Sequence, residues 1–100
     1  FWNPSMSGKW IHLATTFEAK TGLVVHYLDG KRLNQEVLPR RFVPLKTRFG
    51  VSSIGNWASP LKPDEEFAIR NLNGSIGELA LFSAALSPRE VEEMYQHGKP

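Results

Sequence analysis

The stretch from Gly74 to Tyr95 constrains the fold most, because a strand pattern in it runs directly into a capped helix pattern. Residues 76–82 carry apolar side chains on both faces of an extended strand, which is typical of a strand that is covered on both sides. The next motif, Ser87-Pro88-Arg89-Glu90, is a capping box with proline at the first helical position. It predicts a helix that starts after Ser87 and ends near Gly98.

Apolar residues at the start of this helix predict where it packs. Leu86 and Val91 have the spacing of a hydrophobic staple across the first turn. Val91, Met94 and Tyr95 form one apolar stripe at helical spacing. We therefore expect a short amphipathic helix that covers part of a core.

Three earlier segments have the alternating pattern of strands, and we expect them at Trp10–Phe17, Leu23–Leu28 and Arg32–Val37. The pair Asp29-Gly30 is a two-residue hairpin signal, so it predicts that the second and third strands are antiparallel neighbours. A fourth strand is predicted at Thr47–Ile54.

The segment Gly55–Asn73 is rich in proline, glycine and asparagine. This composition predicts a long irregular connection with one brief strand at Phe67–Ile69. Long loops of this kind are often functional.

Two motifs stand in a characteristic order. The strand Trp10-Ile11-His12-Leu13-Ala14-Thr15-Thr16-Phe17 is followed by the hairpin Tyr27-Leu28-Asp29-Gly30-Lys31, and the strand and helix of residues 74–95 come last. In this order they resemble laminin-G-like domains of the concanavalin A-like lectin/glucanase group. The resemblance implies an all-β fold, an antiparallel jelly-roll β-sandwich with a short C-terminal helix.

A narrower resemblance involves Ile54-Gly55-Asn56-Trp57 and Arg70-Asn71-Leu72-Asn73-Gly74. Together they look like a subgroup of bacterial domains attached to FecR-type regulators of cell-surface signalling. That resemblance implies an exported protein, at an extracellular, periplasmic or cell-envelope location.

Residues 1–100 are expected to form a single laminin-G-like domain that is incomplete at its N-terminal side. A complete jelly roll of this kind needs roughly a dozen strands, and the sequence shows about half of them. The chain also opens on Phe1-Trp2 without an initiator methionine, which suits a piece of a longer protein.

Composition excludes several classes of protein. The chain has no cysteine, so neither a disulfide framework nor a thiolate metal site is predicted. No apolar run approaches the roughly 20 residues that cross a bilayer, so we expect no membrane insertion by this segment. The formal net charge is +2, and acidic residues interrupt the basic ones, so nucleic acid is not an expected partner.

Catalytic and metal-binding patterns are also missing from the sequence. Retaining glycoside hydrolysis needs two carboxyl groups about 5 Å apart, and no predicted strand supplies such a pair. His12, His26 and His97 have no nucleophile or orienting acid beside them. The resemblance implies calcium in some relatives, but Gly77 precedes Glu78 where the family usually has aspartate. We therefore predict no enzyme activity, no metal and no cofactor, with calcium possible only if ligands come from outside this segment.

Trp57 is the best single candidate for a ligand contact, because it stands at a predicted strand end before a long loop. An exposed indole there can stack on a sugar face while neighbouring polar side chains bind hydroxyl groups. Alternatively, Trp57 plugs the end of the sandwich, and Trp10 and Trp2 are expected to be packing residues. The candidate ligand-binding residues are Trp57, Asn56, Arg70, Asn71 and Asn73.

Positive charge is concentrated in residues 31–48, where six basic residues surround the single acidic residue Glu36 and give a net charge of +5. Guanidinium groups there suit the sulfate or carboxylate groups of acidic glycans. The alternative is a solvated edge whose charges discourage aggregation. The candidates for acidic-glycan binding are Arg40, Arg41, Lys46 and Arg48.

The resemblance and the candidate residues together predict a noncatalytic binding module that recognises carbohydrate. One alternative is a structural or protein-docking domain of a cell-surface signalling regulator. A third is part of a glycoside hydrolase whose catalytic residues lie outside this segment. Fold alone does not decide among them.

Overall fold

The computed structural model describes residues 3–44, 46, 48, 50–52, 54–58, 69–72 and 74–98, with the backbone alone at 56–58 and 69–71. The chain divides into two compact units. The first, which we call the sheet unit, comprises residues 1–45 and 82–100. The second, the ribbon unit, comprises residues 46–81.

The sheet unit contains three antiparallel strands in chain order, β1 (Leu13–Glu18), β2 (Leu23–Leu28) and β3 (Lys31–Val37). The predicted bounds of β2 are confirmed, β3 begins one residue earlier than predicted, and β1 begins three residues later. Two short 3-10 helices lie at Pro4–Met6 and Arg40–Phe42.

The turn between β2 and β3 has the backbone geometry that its two residues predict. Asp29 and Gly30 both have positive φ, 50° and 78°, as a two-residue hairpin turn of the Asp-Gly type requires. The Asp29 carboxylate accepts a hydrogen bond of 2.9 Å from the backbone N–H of His12, and the Asp29 N–H donates one of 2.9 Å to the His12 carbonyl. The turn is therefore fixed to the residue that leads into β1.

Helix α1 (Pro88–Gly98) follows the predicted capping box and ends at the predicted glycine. The Glu90 carboxylate accepts a hydrogen bond of 2.6 Å from the Ser87 N–H, and the Ser87 hydroxyl accepts one of 3.2 Å from the Glu90 N–H. Hydrogen bonds from the backbone and then the side chain of Ser87 lower the pKa of the Glu90 carboxyl group below its ordinary value.

The core of the sheet unit is small and lies between β2 and α1. Val25, Tyr27 and Val91 are buried, with Val91 fully shielded from solvent. Half-buried apolar residues surround this cluster: Ala14, Leu23 and Leu86. The contact of Leu86 with the cluster that contains Val91 confirms the predicted staple.

Two predicted strands are wrong in the described residues. Residues 48, 50–52 and 54, within the predicted strand Thr47–Ile54, are not in a strand, and residues 76–82 are not in one either. A strand exists only where another strand accepts and donates its backbone hydrogen bonds, and no described residue pairs with these segments. Apolar side chains in these two segments are each more than half exposed: Val51, Ile54, Ile76, Leu79, Leu81 and Phe82.

The ribbon unit contains two short antiparallel strands, β4 (Asn56–Ala58) and β5 (Ile69–Asn71). The predicted irregular connection is therefore wrong at residues 56–58 and 70–71. The brief strand predicted at Phe67–Ile69 overlaps β5 only at Ile69, since residues 67 and 68 lie outside the described residues. Strands of three residues are too short to show a side-chain periodicity, which explains why the sequence did not reveal their pairing.

Candidate ligand-binding ribbon

The pairing of β4 with β5 brings together four of the five candidate ligand-binding residues. Asn56 lies opposite Asn71, and Trp57 lies opposite Arg70. Residues directly opposite in an antiparallel pair are neighbours across the strands. Residues far apart in sequence thus meet at one place, whereas Asn73 lies outside the described residues.

Gly55 allows the ribbon to begin where it does. Its φ is 74°, and its carbonyl accepts a hydrogen bond of 2.6 Å from the N–H of Leu72, the residue after β5. A Cβ atom at position 55 would lie 3.3 Å from the Cβ of Leu72 and 3.7 Å from the Cδ1 of Ile76. Glycine is required there both by the left-handed backbone and by the closeness of Leu72.

Apolar side chains of the ribbon unit flank these strands in the sequence. Ile54, Leu72 and Ile76 are each a little more than half exposed. Ligand sites combine apolar surface with a few polar groups that fix orientation. The two strands contain an aromatic residue, two asparagines and an arginine, which are residue types found in such sites.

Arg40, one of the acidic-glycan candidates, is engaged inside the sheet unit. Its two terminal nitrogens donate hydrogen bonds of 3.0 Å to the Ala19 carbonyl and 2.5 Å to the Lys20 carbonyl. The guanidinium therefore fastens the turn between β1 and β2 to the segment after β3. Two of its five N–H donors are used in this way.

The other three basic candidates differ from Arg40. The Arg41 guanidinium carbon lies 4.8 Å from the centre of the exposed Phe42 ring, a cation–π contact. Lys46 and Arg48 are exposed residues of the ribbon unit. The four candidates are thus divided between two units.

Two of the three histidines make side-chain contacts within the sheet unit. The His26 Nδ1 is 2.9 Å from the Thr15 hydroxyl across the β1–β2 pair, and His26 is half-buried. The His12 ring lies 5.9 Å from the Tyr95 ring, and its buried Nδ1 has no hydrogen-bond partner among the described residues. No group of three histidine, aspartate or glutamate side chains in the described part of the chain is arranged to hold a metal ion.

Sequence reasoning missed one open depression in the sheet unit. It lies where the β2–β3 turn meets α1, and Asp29, Lys31 and Glu92 line it together with Leu28, Tyr95 and Gln96. In the sequence, Asp29-Gly30 predicts the turn but not what packs against it. In the structure, Tyr95 lies so close to the turn that a Cβ atom on Gly30 would be 3.0 Å from its Cδ1.

Trp10 differs from the expectation that it packs in the core. It is 60% exposed and lies before β1, which begins at Leu13. Trp2 lies outside the described residues. In the described part of the chain, no helix combines the length and apolar character needed to span a membrane.

Comparisons with known proteins agree with this architecture. The Laminin_G_3 family model, described as the concanavalin A-like lectin/glucanases superfamily, matches residues 2–92. A crystal structure of an S-layer domain-containing protein (residues 221–444) from Clostridium thermocellum is similar, with a TM-score of 0.56 and 22% identity.

The similarity covers 89% of this chain and 40% of that one. At this identity it shows a shared fold alone. No curated protein gives a significant match.

Proposed function

We propose that this chain, which belongs to the concanavalin A-like lectin/glucanases superfamily, is a noncatalytic module that binds carbohydrate at a cell surface. One observation carries the proposal: the β4–β5 register sets Trp57 opposite Arg70 and Asn56 opposite Asn71. We place the ligand on this ribbon.

The residue types suit a sugar ring. An indole offers a flat apolar surface for the C–H face of a pyranose. Asparagine amides both donate and accept hydrogen bonds, and a guanidinium donates several in a fixed plane, so the set matches the hydroxyl groups at the ring edge. Asn73 belongs to the proposed set through its position two residues after β5.

The location and the complete architecture are part of the proposal. The family and the S-layer domain in the name of the similar structure support an extracellular or cell-envelope location. We further propose that additional strands complete a jelly-roll sandwich over the exposed apolar residues of the segment 76–82.

The test measures binding of the chain to an array of neutral and acidic polysaccharides. Trp57→Ala is expected to weaken binding by about tenfold or more, which corresponds to about 1.4 kcal/mol. Trp10→Ala is the matched control, since Trp10 is exposed but belongs to the sheet unit. Equal loss in both variants, or binding that survives Trp57→Ala unchanged in a folded protein, would remove the ribbon from the site.

Salt dependence identifies the kind of glycan. Binding that falls steeply with ionic strength indicates an acidic ligand. Arg41→Ala then tests the basic candidates better than Arg40→Ala does, because Arg40 is bound to two backbone carbonyls.

A structural or protein-docking role is the second candidate. It is favoured by three exposed apolar residues of the ribbon unit, Ile76, Leu79 and Leu81, because exposed apolar surface often marks a protein interface. Under this second candidate, the chain would be the docking domain of a FecR-type regulator of cell-surface signalling. Wild type that binds no glycan would support docking over carbohydrate recognition.

A glycoside hydrolase fragment is the third candidate, and it needs carboxylates from outside this segment. Its signature would be shortened glycan products after incubation with the longer protein but not with this chain.

A further inference from the structure

We infer that the outer edge of β3 pairs antiparallel with the same edge of a second copy of this chain, an interaction separate from the proposed carbohydrate site. β3 is an edge strand of the sheet, and all seven of its residues are exposed. No described residue pairs with its outer side. An edge of this length presents a row of backbone donors and acceptors to another strand.

The order of charges along β3 favours a second copy of this chain as the strand that pairs with it. Lys31 and Arg32 begin the strand, and Glu36 stands next to its end. Two copies aligned antiparallel bring the basic start of each beside the acidic end of the other. Two parallel copies would instead bring like charges together, which is unfavourable across strands.

The pairing of β3 with β2 fixes which residues share a face. Lys31 and Glu36 pair with Leu28 and Val24, which lie four residues apart on β2 and therefore on the same face. Arg32 and Gln35 pair with Tyr27 and Val25 on the opposite face.

A register irregularity at Leu33 puts Lys31 and Glu36 on the same face, although an odd number of positions separates them. Leu33 is an extra residue in β3 that has no partner on β2. A hydrogen bond of 3.0 Å from Arg32 Nη1 to Gln35 Oε1 agrees with it.

These faces define one register between the copies. Lys31 of one copy lies opposite Glu36 of the other, and Arg32 lies opposite Gln35. The two-fold symmetry repeats both pairs, so the contact is self-complementary. Unrelated strands lack this match, and the charged, bulged edge disfavours their pairing.

Helix α1 lies against a face of the sheet, not against its edge. Val91 is buried with Val25 and Tyr27 of β2, and the helix also contacts β3. The proposed contact uses the outer backbone edge of β3, which is distinct from the faces of the strand.

Charge reversal tests the register. The wild-type chain, followed by sedimentation velocity over a concentration series, is expected to form a dimer at high concentration. Lys31→Glu and Glu36→Lys each create two like-charge pairs, and each is expected to weaken dimerisation by about tenfold or more. An equimolar mixture of the two variants restores opposite charges at both pairs and is expected to dimerise as wild type does.

Lys9→Glu is the control, because it changes the same charge on an exposed residue outside the sheet. It is expected to leave dimerisation unchanged. The mixture distinguishes a lost contact from misfolding, because two variants that were each unfolded would not form a defined dimer when mixed. A wild-type chain that stays monomeric, or single reversals that dimerise as tightly as wild type, would overturn the proposal. Trp57→Ala is expected to leave the dimer intact, so failure of the carbohydrate proposal and failure of this one are distinguishable.

Discussion

The sheet unit and the ribbon unit contain strands that differ in what stabilises them. In the sheet unit, α1 packs against three paired strands, and Val25, Tyr27 and Val91 are buried together. In the ribbon unit, two strands of three residues pair with each other. Outside those two strands, the described residues of that unit are exposed.

The difference shows that an apolar pattern alone does not make a strand. Residues 76–82 carry a longer apolar strand pattern than Asn56–Ala58, yet β4 is a strand and 76–82 is not. Backbone pairing requires a partner at about 4.8 Å, and β5 provides it for β4. Three predictions sharpen this comparison, in order of decreasing effect.

Gly30→Ala tests whether the turn and the helix stabilise each other in the sheet unit. The added Cβ would lie 3.0 Å from Tyr95 Cδ1 and 3.3 Å from the Cα of Glu92, at a φ of 78°. We expect a loss of about 2–4 kcal/mol in the free energy of unfolding, measured by urea denaturation, from backbone strain and overpacking together.

Gly8→Ala is the matched control, because its φ is 72° but nothing lies within 4 Å of the added atom. It is expected to lose about 1 kcal/mol from backbone strain alone. Equal losses in the two variants would show that the contact with α1 contributes nothing.

Val91→Ala compares the two units directly. Val91 is fully buried, so loss of two methyl groups is expected to lower the free energy of unfolding by about 2 kcal/mol. Val51→Ala, at a fully exposed valine of the ribbon unit, is expected to change it by less than about 0.5 kcal/mol. A comparable loss at Val51 would show that the ribbon unit has a core of its own.

Glu90→Gln tests the capping box, with the smallest expected effect. Hydrogen bonds from Ser87 lower the pKa of the folded carboxyl group below its ordinary value of 4.5. The ionised carboxylate therefore stabilises the helix above that pH, and the stabilisation is lost as pH falls through the lowered value.

The melting temperatures of wild type and Glu90→Gln should therefore differ at neutral pH and converge in acid. A difference that stays constant from neutral pH to strong acid would contradict the assignment.

Sequence reasoning succeeded where neighbouring residues control the geometry. Asp29-Gly30 predicted the hairpin, and Ser87 with Glu90 predicted the helix start, because these motifs form their hydrogen bonds within a few residues. The motifs from Trp10 to Lys31 also pointed to the family that the comparison shows.

The candidate site was predictable in part. Asn56, Trp57, Arg70 and Asn71 were chosen for their chemistry, and the β4–β5 register places them opposite one another. Their pairing was not predictable, because it depends on two strands separated by a long connection. The role of Arg40 was missed for the same reason, since the carbonyls it binds lie 20 and 21 residues away.

By itself, the sequence determined the hairpin turn, the helix with its cap and staple, and the family to which the chain belongs. Those features depend on short-range hydrogen bonds and on the local order of apolar residues. The tertiary structure alone decided which extended segments became strands, because each strand needs a partner to satisfy its backbone groups. It also decided the positions of distant side chains, because packing and cross-strand register bring them together.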